Sequence, residues 1–402
     1  MTRTHVPDLL GVEVQMQFAP VRRLEDGALA GAELQVRGPS GTALGTASAL
    51  RHAAQLMGQR ADLDEYKHRH ARTPLARTVA DHLPLLVTVD SESPLAAEPA
   101  TEGLERTIVT VDATDVLRNP HRALARVVSA RASGRLVALD GVGVDVQAAT
   151  LLSLIEPDIV VTAAELHSGS AGTDIGATAH ALSAYVERSH AVIVAEGIDD
   201  DAARLAAQTV GATYGIGALY PPVDDPAGLL TEDVVPMPHA PVWTTPIPAE
   251  TTPYAIASEH ATPRRGTKRV LVQMSKSLEK QAVAAGSAML ALGTFQHATH
   301  FTERTAQRWR HLADTIGFAG VYGVGLTQML DGNTQHAPLD PADDMVNEWT
   351  VVVLGPHHAA LLSARDRHDN GPDLERTFDF VQTYDRATVT QAAHAIMHRF
   401  TP

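Results

Sequence analysis

Short β-branched runs alternate with longer amphipathic stretches through the first 235 or so residues. The runs are Gly31–Arg37, Leu85–Val89, Thr107–Asp112, Leu136–Val142, Asp158–Ala163, Ala191–Ile198 and Ala212–Leu219. Apolar positions at helical spacing fall between them, at Pro120–Ser133, Val146–Ile155, Ile175–Ser189 and Asp200–Thr209. Strand and helix patterns in alternation predict a mostly parallel sheet. Seven or eight such units suit an α/β fold of the TIM-type (β/α)8 class better than a doubly wound sheet. In a barrel of that kind, polar residues at the C-terminal strand ends carry the chemistry. Asp112, Asp140 and Glu196 each end an apolar run and are therefore candidates.

The rhythm then breaks. From Pro236 to Lys268 the chain reads PMPHAPVWTTPIPAETTPYAIASEHATPRRGTK, with neither a helical nor an alternating period. Repeated Pro removes backbone donors and holds φ near −65°, so 236–267 is expected to be an extended Pro/Thr-rich linker between a barrel at 8–235 and a second domain at 268–402. The second segment has helical patterns at Val272–Ala285, Thr302–Ile316 and Arg386–Arg399. Strand-like runs fall at Ala288–Phe295, Gly320–Val324, Trp349–Gly355 and Ala359–Ala364. That order predicts a smaller α+β domain, with a mainly antiparallel sheet and helices on one face.

Composition narrows the classes. The 402 residues carry 32 Lys plus Arg against 47 Asp plus Glu, a formal charge of −15. Without a sustained basic stripe, an electrostatic nucleic-acid footprint is not expected. No apolar run reaches the roughly 18 residues of a membrane span. The polar opening Met1-Thr-Arg-Thr-His-Val-Pro-Asp lacks a signal-peptide pattern, so a cytoplasmic location is expected. Cys is absent, which excludes disulfides, thiolate metal sites, a Cys nucleophile and thioether-linked cofactors.

Three motifs occur in order in the first segment: FAPVRRLEDGALAGAELQVR (Phe18–Arg37), LVALDGVGVD (Leu136–Asp145) and VIVAEGIDDDAARLAAQTVGATYGIGALYPP (Val192–Pro222). Together they resemble the EAL domain, the cyclic di-GMP phosphodiesterase module, over roughly residues 8–238. The resemblance implies two divalent ions, held by oxygen ligands, that activate a water against a phosphodiester. It places Glu33 at the signature glutamate and Arg37 at the arginine that contacts the ligand's phosphate. It places Asp112 at the next glutamate, Asp140 and Gly141 at the paired aspartates, and Glu196 at the later glutamate. Thr88 falls at the asparagine ligand, with Asp90 close by, Val161 at the lysine and Ile216 at the late glutamine. Gly141, Val161 and Ile216 offer no side-chain ligand. Glu33, Asp112, Asp140 and Glu196 therefore read as vestigial metal positions, able to hold a single Mg²⁺ or to remain solvated barrel-mouth carboxylates. Arg37 reads either as a phosphate contact or as a structural partner of Glu33 or Asp140.

The second segment resembles a DICT domain, a sensory module found with diguanylate cyclases and two-component systems. The resemblance is carried by VLVQMSKSLEKQAV (Val270–Val283), GTFQHATHFTERTAQRWRHLA (Gly293–Ala313), NEWTVVVLGPHHAALLSARD (Asn347–Asp366) and PDLERTFDFVQTYDRATV (Pro372–Val389). It implies perception of a signal. Read by themselves, Phe295, Gln296, His297, His300, Arg304, Arg308 and Trp309 gather pocket-like chemistry within fifteen residues. Arg304 and Arg308 are i and i+4 on one helix face, a spacing suited to carboxylates of a ligand. The plainer alternative is a solvated basic face with Trp309 in the core. His297 and His300 have no further ligand in register, so a metal there is not expected.

Three functions follow from these readings. In the first, a barrel stripped of most ligands joins a ligand- or light-sensing domain in a non-catalytic signalling protein. In the second, the barrel is a weakly active phosphodiesterase with one metal. In the third, either domain holds a flavin or tetrapyrrole non-covalently. The expected partners are a small molecule or a signalling protein, and a homodimer is expected from the resemblance.

Overall fold

The computed structural model describes residues 8–93, 105–144, 146–168, 174–238 and 251–399. A two-residue hairpin, β1 (Asp8–Leu9) and β2 (Val12–Glu13), precedes eight strands that close into a barrel. These are β3 (Gln15–Arg23), β4 (Leu29–Arg37), β5 (Leu85–Asp90), β6 (Glu105–Asp112), β7 (Leu136–Val142), β8 (Ile159–Thr162), β9 (Val192–Glu196) and β10 (Tyr214–Ile216). The order around the barrel is β10-β3-β4-β5-β6-β7-β8-β9. All neighbours are parallel except at β3, which runs antiparallel to both β4 and β10. The cause is local. Gly27, at φ 74°, turns the chain directly from β3 into β4, and the Asp26 carboxylate accepts from Ala28 N at 3.1 Å. A turn this short leaves no room for a crossover helix, so the two strands pair as a hairpin. Val21, Ala30, Leu86, Ile108, Ala138 and Val194 fill the barrel interior.

Three helices, Ala47–Leu56, Arg60–Ala71 and Pro74–His82, separate β4 from β5. Hydrophobic periodicity alone does not assign this stretch. It proves to be the segment that shapes the barrel mouth.

The second domain is an eight-stranded mixed sheet. Its strands are β11 (Arg264–Thr267), β12 (Leu290–His297), β13 (Phe318–Val324), β14 (Met329–Asp331), β15 (Thr334–Pro338), β16 (Glu348–Gly355), β17 (His358–Asp366) and β18 (Thr377–Thr383), in the order β11-β18-β17-β16-β12-β13-β15-β14. Only the β12–β13 and β13–β15 pairs are parallel. Two expectations need correcting here. Helices cover both faces of the sheet, not one. Lys268–Ala285 and Glu303–Ala313 bury Leu271, Leu278, Trp309 and Leu312 on one side. Pro253–His260 and Arg386–Met397 lie on the other, together with the barrel's own shell. The reason is that alternate strand residues are apolar on both sides, as at Leu290 and Leu292 against Met289 and Ala291.

The extended linker is also shorter than expected. Helix Pro253–His260 and strand β11 lie within 236–267, whereas 239–250 fall outside the described residues. Pro253 misleads the reading because it occupies the first turn of a helix, where its missing N–H is not needed. Thr252 caps that helix by accepting from Ala255 N at 3.2 Å. The buried Glu348 carboxylate then holds the cap in place. It accepts from the Thr252 hydroxyl, from Tyr254 N at 3.0 Å and from Arg365 Nη2 at 3.1 Å. Burial raises the Glu348 pKa despite these donors.

Candidate functional site

The barrel mouth is built by strand ends and by the inserted helices above them. Glu33 sits on β4, Asp112 and Asp140 face each other in register on β6 and β7, and Glu196 ends β9 beside Ile216 of β10. Two adjacent clefts of about 550 and 470 Å³ open over them and share Arg51, Lys67, Thr88 and Glu196.

The inserted helices deliver cations into this acidic ring. Helix Ala47–Leu56 is capped by Thr46 and buries Leu50 and Ala54. One position on from Leu50, the helical rotation aims Arg51 at the mouth. Its Nη1 lies 3.5 Å from Asp140 Oδ2, and its Nη2 lies 3.2 Å from Glu196 Oε1 and 3.4 Å from Oε2. The next helix, Arg60–Ala71, buries Leu63, Tyr66 and Ala71 and carries Lys67 inward on the same side. The Lys67 ammonium donates to the Thr88 carbonyl, reaches Thr88 Oγ1 at 3.3 Å and pairs with Asp64 at 3.2 Å. Arg60 from the same helix bridges Asp90 at 2.6 Å and Asp115 at 3.0 Å.

The electrostatics follow from this crowding. Arg51 has its pKa raised, first by Asp140 and then by Glu196. Glu196 is itself raised, mainly by burial, with Asp140 and Glu33 adding repulsion that Arg51 only partly offsets. Asp112 is raised by burial and is committed elsewhere. Its carboxylate caps helix Ala113–Arg118 by accepting from Thr114 N at 2.8 Å and Asp115 N at 3.2 Å.

This donor set does not fit a pair of divalent ions. Glu33 accepts from Thr88 Oγ1 at 3.0 Å and from Gln35 Nε2 at 2.6 Å, so both its oxygens are engaged. Asp140 and Glu196 share a guanidinium. Val161 and Ile216 put hydrocarbon at the mouth, and Gly141, at φ 77°, adds no side chain. Among the described residues, no three His, Asp or Glu side chains gather in metal-ligating geometry. A site for two ions needs about six oxygen ligands around each, and two of the carboxylates here already share a guanidinium from within the chain.

Arg37 finds neither of its expected partners. It donates to Gln17 Oε1 at 3.0 Å and Ser40 Oγ at 2.7 Å, and reaches Asp224 at 3.4 Å, rather than pairing with Glu33 or Asp140. Residues 33 and 37 share one face of β4, but four residues of strand rise, about 13 Å, separate them along it. Arg37 still lines the larger cleft. Arg51 and Lys67 are the residues that sequence reasoning missed. A faint signal existed in Leu63-x-x-Tyr66-Lys67, which places a lysine on an otherwise apolar helical stripe.

In the second domain, the cluster around Phe295 divides. Phe295, Gln296, His300, Arg304 and Arg308 line one cavity of about 480 Å³. His297 is exposed and Trp309 is wholly buried in the core, edge to face with Phe295 at 5.8 Å between ring centres. The arginine pair expected to clasp ligand carboxylates is already split. Arg308 is held by the buried Glu279, while Arg304 remains exposed.

Comparison with known proteins gives two family matches. Residues 8–222 match the EAL domain, and residues 254–367 match DICT, the sensory domain in diguanylate cyclases and two-component systems. No curated protein matches. Among solved structures, Klebsiella pneumoniae BlrP1 with manganese and cyclic di-GMP is 18% identical, with a TM-score of 0.40, over 54% of this chain and 57% of that one. An EAL domain protein of Listeria monocytogenes is 12% identical, with a TM-score of 0.40, over 52% of this chain and 89% of its own. The FimX EAL domain of Xanthomonas citri, in complex with cyclic di-GMP, is 18% identical at a TM-score of 0.39, over 52% and 87%. The chain thus spans less than two thirds of the BlrP1 chain.

Proposed function

Because the chain belongs to the EAL domain family, we propose that it is a non-catalytic member, a signalling protein whose barrel no longer hydrolyses a cyclic dinucleotide and is coupled to a sensory domain. The observation that carries this reading is Arg51, whose guanidinium spans Asp140 and Glu196. Metal-assisted hydrolysis needs those carboxylates free to hold a cation that polarises phosphate oxygens and acidifies a water. A fixed guanidinium supplies charge but neither function. Loss of side-chain donors at Gly141, Val161 and Ile216 removes further transition-state stabilisation, about several kcal/mol in comparable cases.

The test is direct. Release of the linear dinucleotide from cyclic di-GMP is followed with Mg²⁺ and with Mn²⁺. No turnover above background is expected. Robust turnover that disappears in Glu33→Ala would falsify the reading. The same protein is proposed to pair as a homodimer. A monomer mass by light scattering at micromolar concentration overturns that part. No helix among the described residues is long and apolar enough to cross a membrane.

A further inference from the structure

The 480 Å³ cavity of the second domain lies between helix Lys268–Ala285, the first turn of helix Glu303–Ala313 and one face of the sheet. Its floor is aromatic. Phe295, Trp349 and Phe378 line it, with Trp349 and Phe378 edge to face at 6.2 Å between ring centres. Its rim is cationic. Four basic side chains, Lys268, Lys276, Arg304 and Arg308, stand against Glu279 and Asp373, an excess of two positive charges in a chain of net charge −15. Arg308 is taken by Glu279, and Lys268 by Asp373 at 2.6 Å. Both carboxylates are thereby used. Lys276 and Arg304 form no ion pair among the described residues and are the free charge of the rim.

Gln296 supplies the third ingredient. It is 7% exposed and lines the cavity, and its side-chain amide has no hydrogen-bond partner among the described residues. Neither amide atom is sealed from water, so the group opens toward the cavity rather than into the core. Its backbone sits at φ 49°, where the β12–β13 register shifts between Thr294 and His297. A side-chain residue held in the left-handed region is strained, and such strain persists where it positions a group for binding.

We infer that this cavity binds a planar nitrogen heterocycle bearing a phosphate. The Gln296 amide presents a donor and an acceptor side by side, matching the paired acceptor and donor on the edge of such a ring. The aromatic floor takes the ring's apolar area. Lys276 and Arg304 at the rim meet the phosphate with charge-assisted hydrogen bonds. The inference does not depend on the reading of the barrel.

The experiment uses the full chain and equilibrium dialysis against riboflavin 5′-phosphate and AMP, with riboflavin, adenosine and inorganic phosphate as partial probes. At least one of the two heterocyclic phosphates binds. Its unphosphorylated ring and phosphate alone are each weaker by about tenfold or more. Gln296→Gly removes the amide and relaxes the strained backbone, so it keeps the fold while lowering affinity by about tenfold. The pair Lys276→Ala and Arg304→Ala lowers it by at least as much, with an unchanged melting temperature. The inference is overturned if neither heterocyclic phosphate binds at millimolar concentration. It is overturned equally if the variants bind like the wild type, or if binding is lost in Glu33→Ala instead, which assigns it to the barrel.

Discussion

Arg51 sets the charge balance of the barrel mouth. Its two forks face Asp140 and Glu196, and Glu33 stands near enough to raise the Glu196 pKa. Three carboxylates around one guanidinium leave the ring short of positive charge. Removing Arg51 takes away the group that lowers the Glu196 pKa, so Arg51→Ala should raise it further. A carboxyl-carbon NMR titration reads this, and an unchanged value would mean that Arg51 has no part in setting it. The same variant opens the carboxylates to a divalent ion. Mn²⁺ affinity, followed by paramagnetic broadening, is expected to rise by about tenfold or more as one competing cation is removed. Equal affinity in wild type and variant contradicts the view that the guanidinium blocks the site.

Helix Pro253–His260 makes the corresponding point for an element. It is eight residues long and belongs to a stretch rich in Pro and Thr, so its own propensity does not hold it. Thr252 both caps it and donates to the buried Glu348, whose other donors are Tyr254 N and Arg365. Thr252→Ala removes a cap and one partner of a buried carboxylate at once. The expected loss is about 1–3 kcal/mol, read from the denaturant midpoint. Thr252→Ser keeps the hydroxyl and should retain most of the stability. If the two variants are equally unstable, the hydroxyl is not what anchors the helix.

For the whole molecule, the decisive feature is that the barrel shell and the sheet of the second domain bury one continuous apolar cluster. Leu151 and Ile155 join Leu290, Leu354, Val389 and Ile396 in it. Polar contacts cross the same surface. Thr150 Oγ1 donates to Ser287 O at 3.0 Å, Gln335 Nε2 to Leu117 O at 2.7 Å and His394 Nε2 to Leu154 O at 2.7 Å. A shared core predicts one cooperative unfolding transition for both domains. Gly317 tests this. A Cβ there would stand 1.9 Å from Thr150 Oγ1 across the interface and 2.5 Å from Ser287 O of its own domain, so Gly317→Ala strains the joint. Calorimetry should show one transition in the wild type and a lowered one in Gly317→Ala, and two separate transitions in the wild type rule out a coupled core.

His394 gives this interface a pH dependence. Burial pushes its ring down to about 4 from an ordinary 6.5. The folded protein therefore holds it neutral where the unfolded chain is protonated. Its contribution is fully present above about pH 6.5 and is lost as pH falls toward about 4. At most it amounts to about 3 kcal/mol. A melting temperature that stays level between pH 7 and about 4.5 refutes this.

The sheet-and-helix rhythm of the barrel is legible in the chain because buried parallel strands are short β-branched runs whatever surrounds them. Leu136–Val142 is recovered to the residue, and Asp112 and Glu196 do end their strands, whereas Asp140 lies two residues before the end of β7. The antiparallel course of β3 was also written locally, in the Asp26-Gly27 turn, but it does not show in a period. Other features were decided only in three dimensions. Whether Asp140 and Glu196 meet a metal or an arginine depends on Arg51, about 90 to 145 residues away along the chain. Arg304 and Arg308 look equivalent along their helix, yet only Arg308 faces Glu279 on the neighbouring one. Periodicity reports which face of an element is buried. It does not report which charge from another element will be waiting there, because that pairing is set by packing between segments remote in sequence.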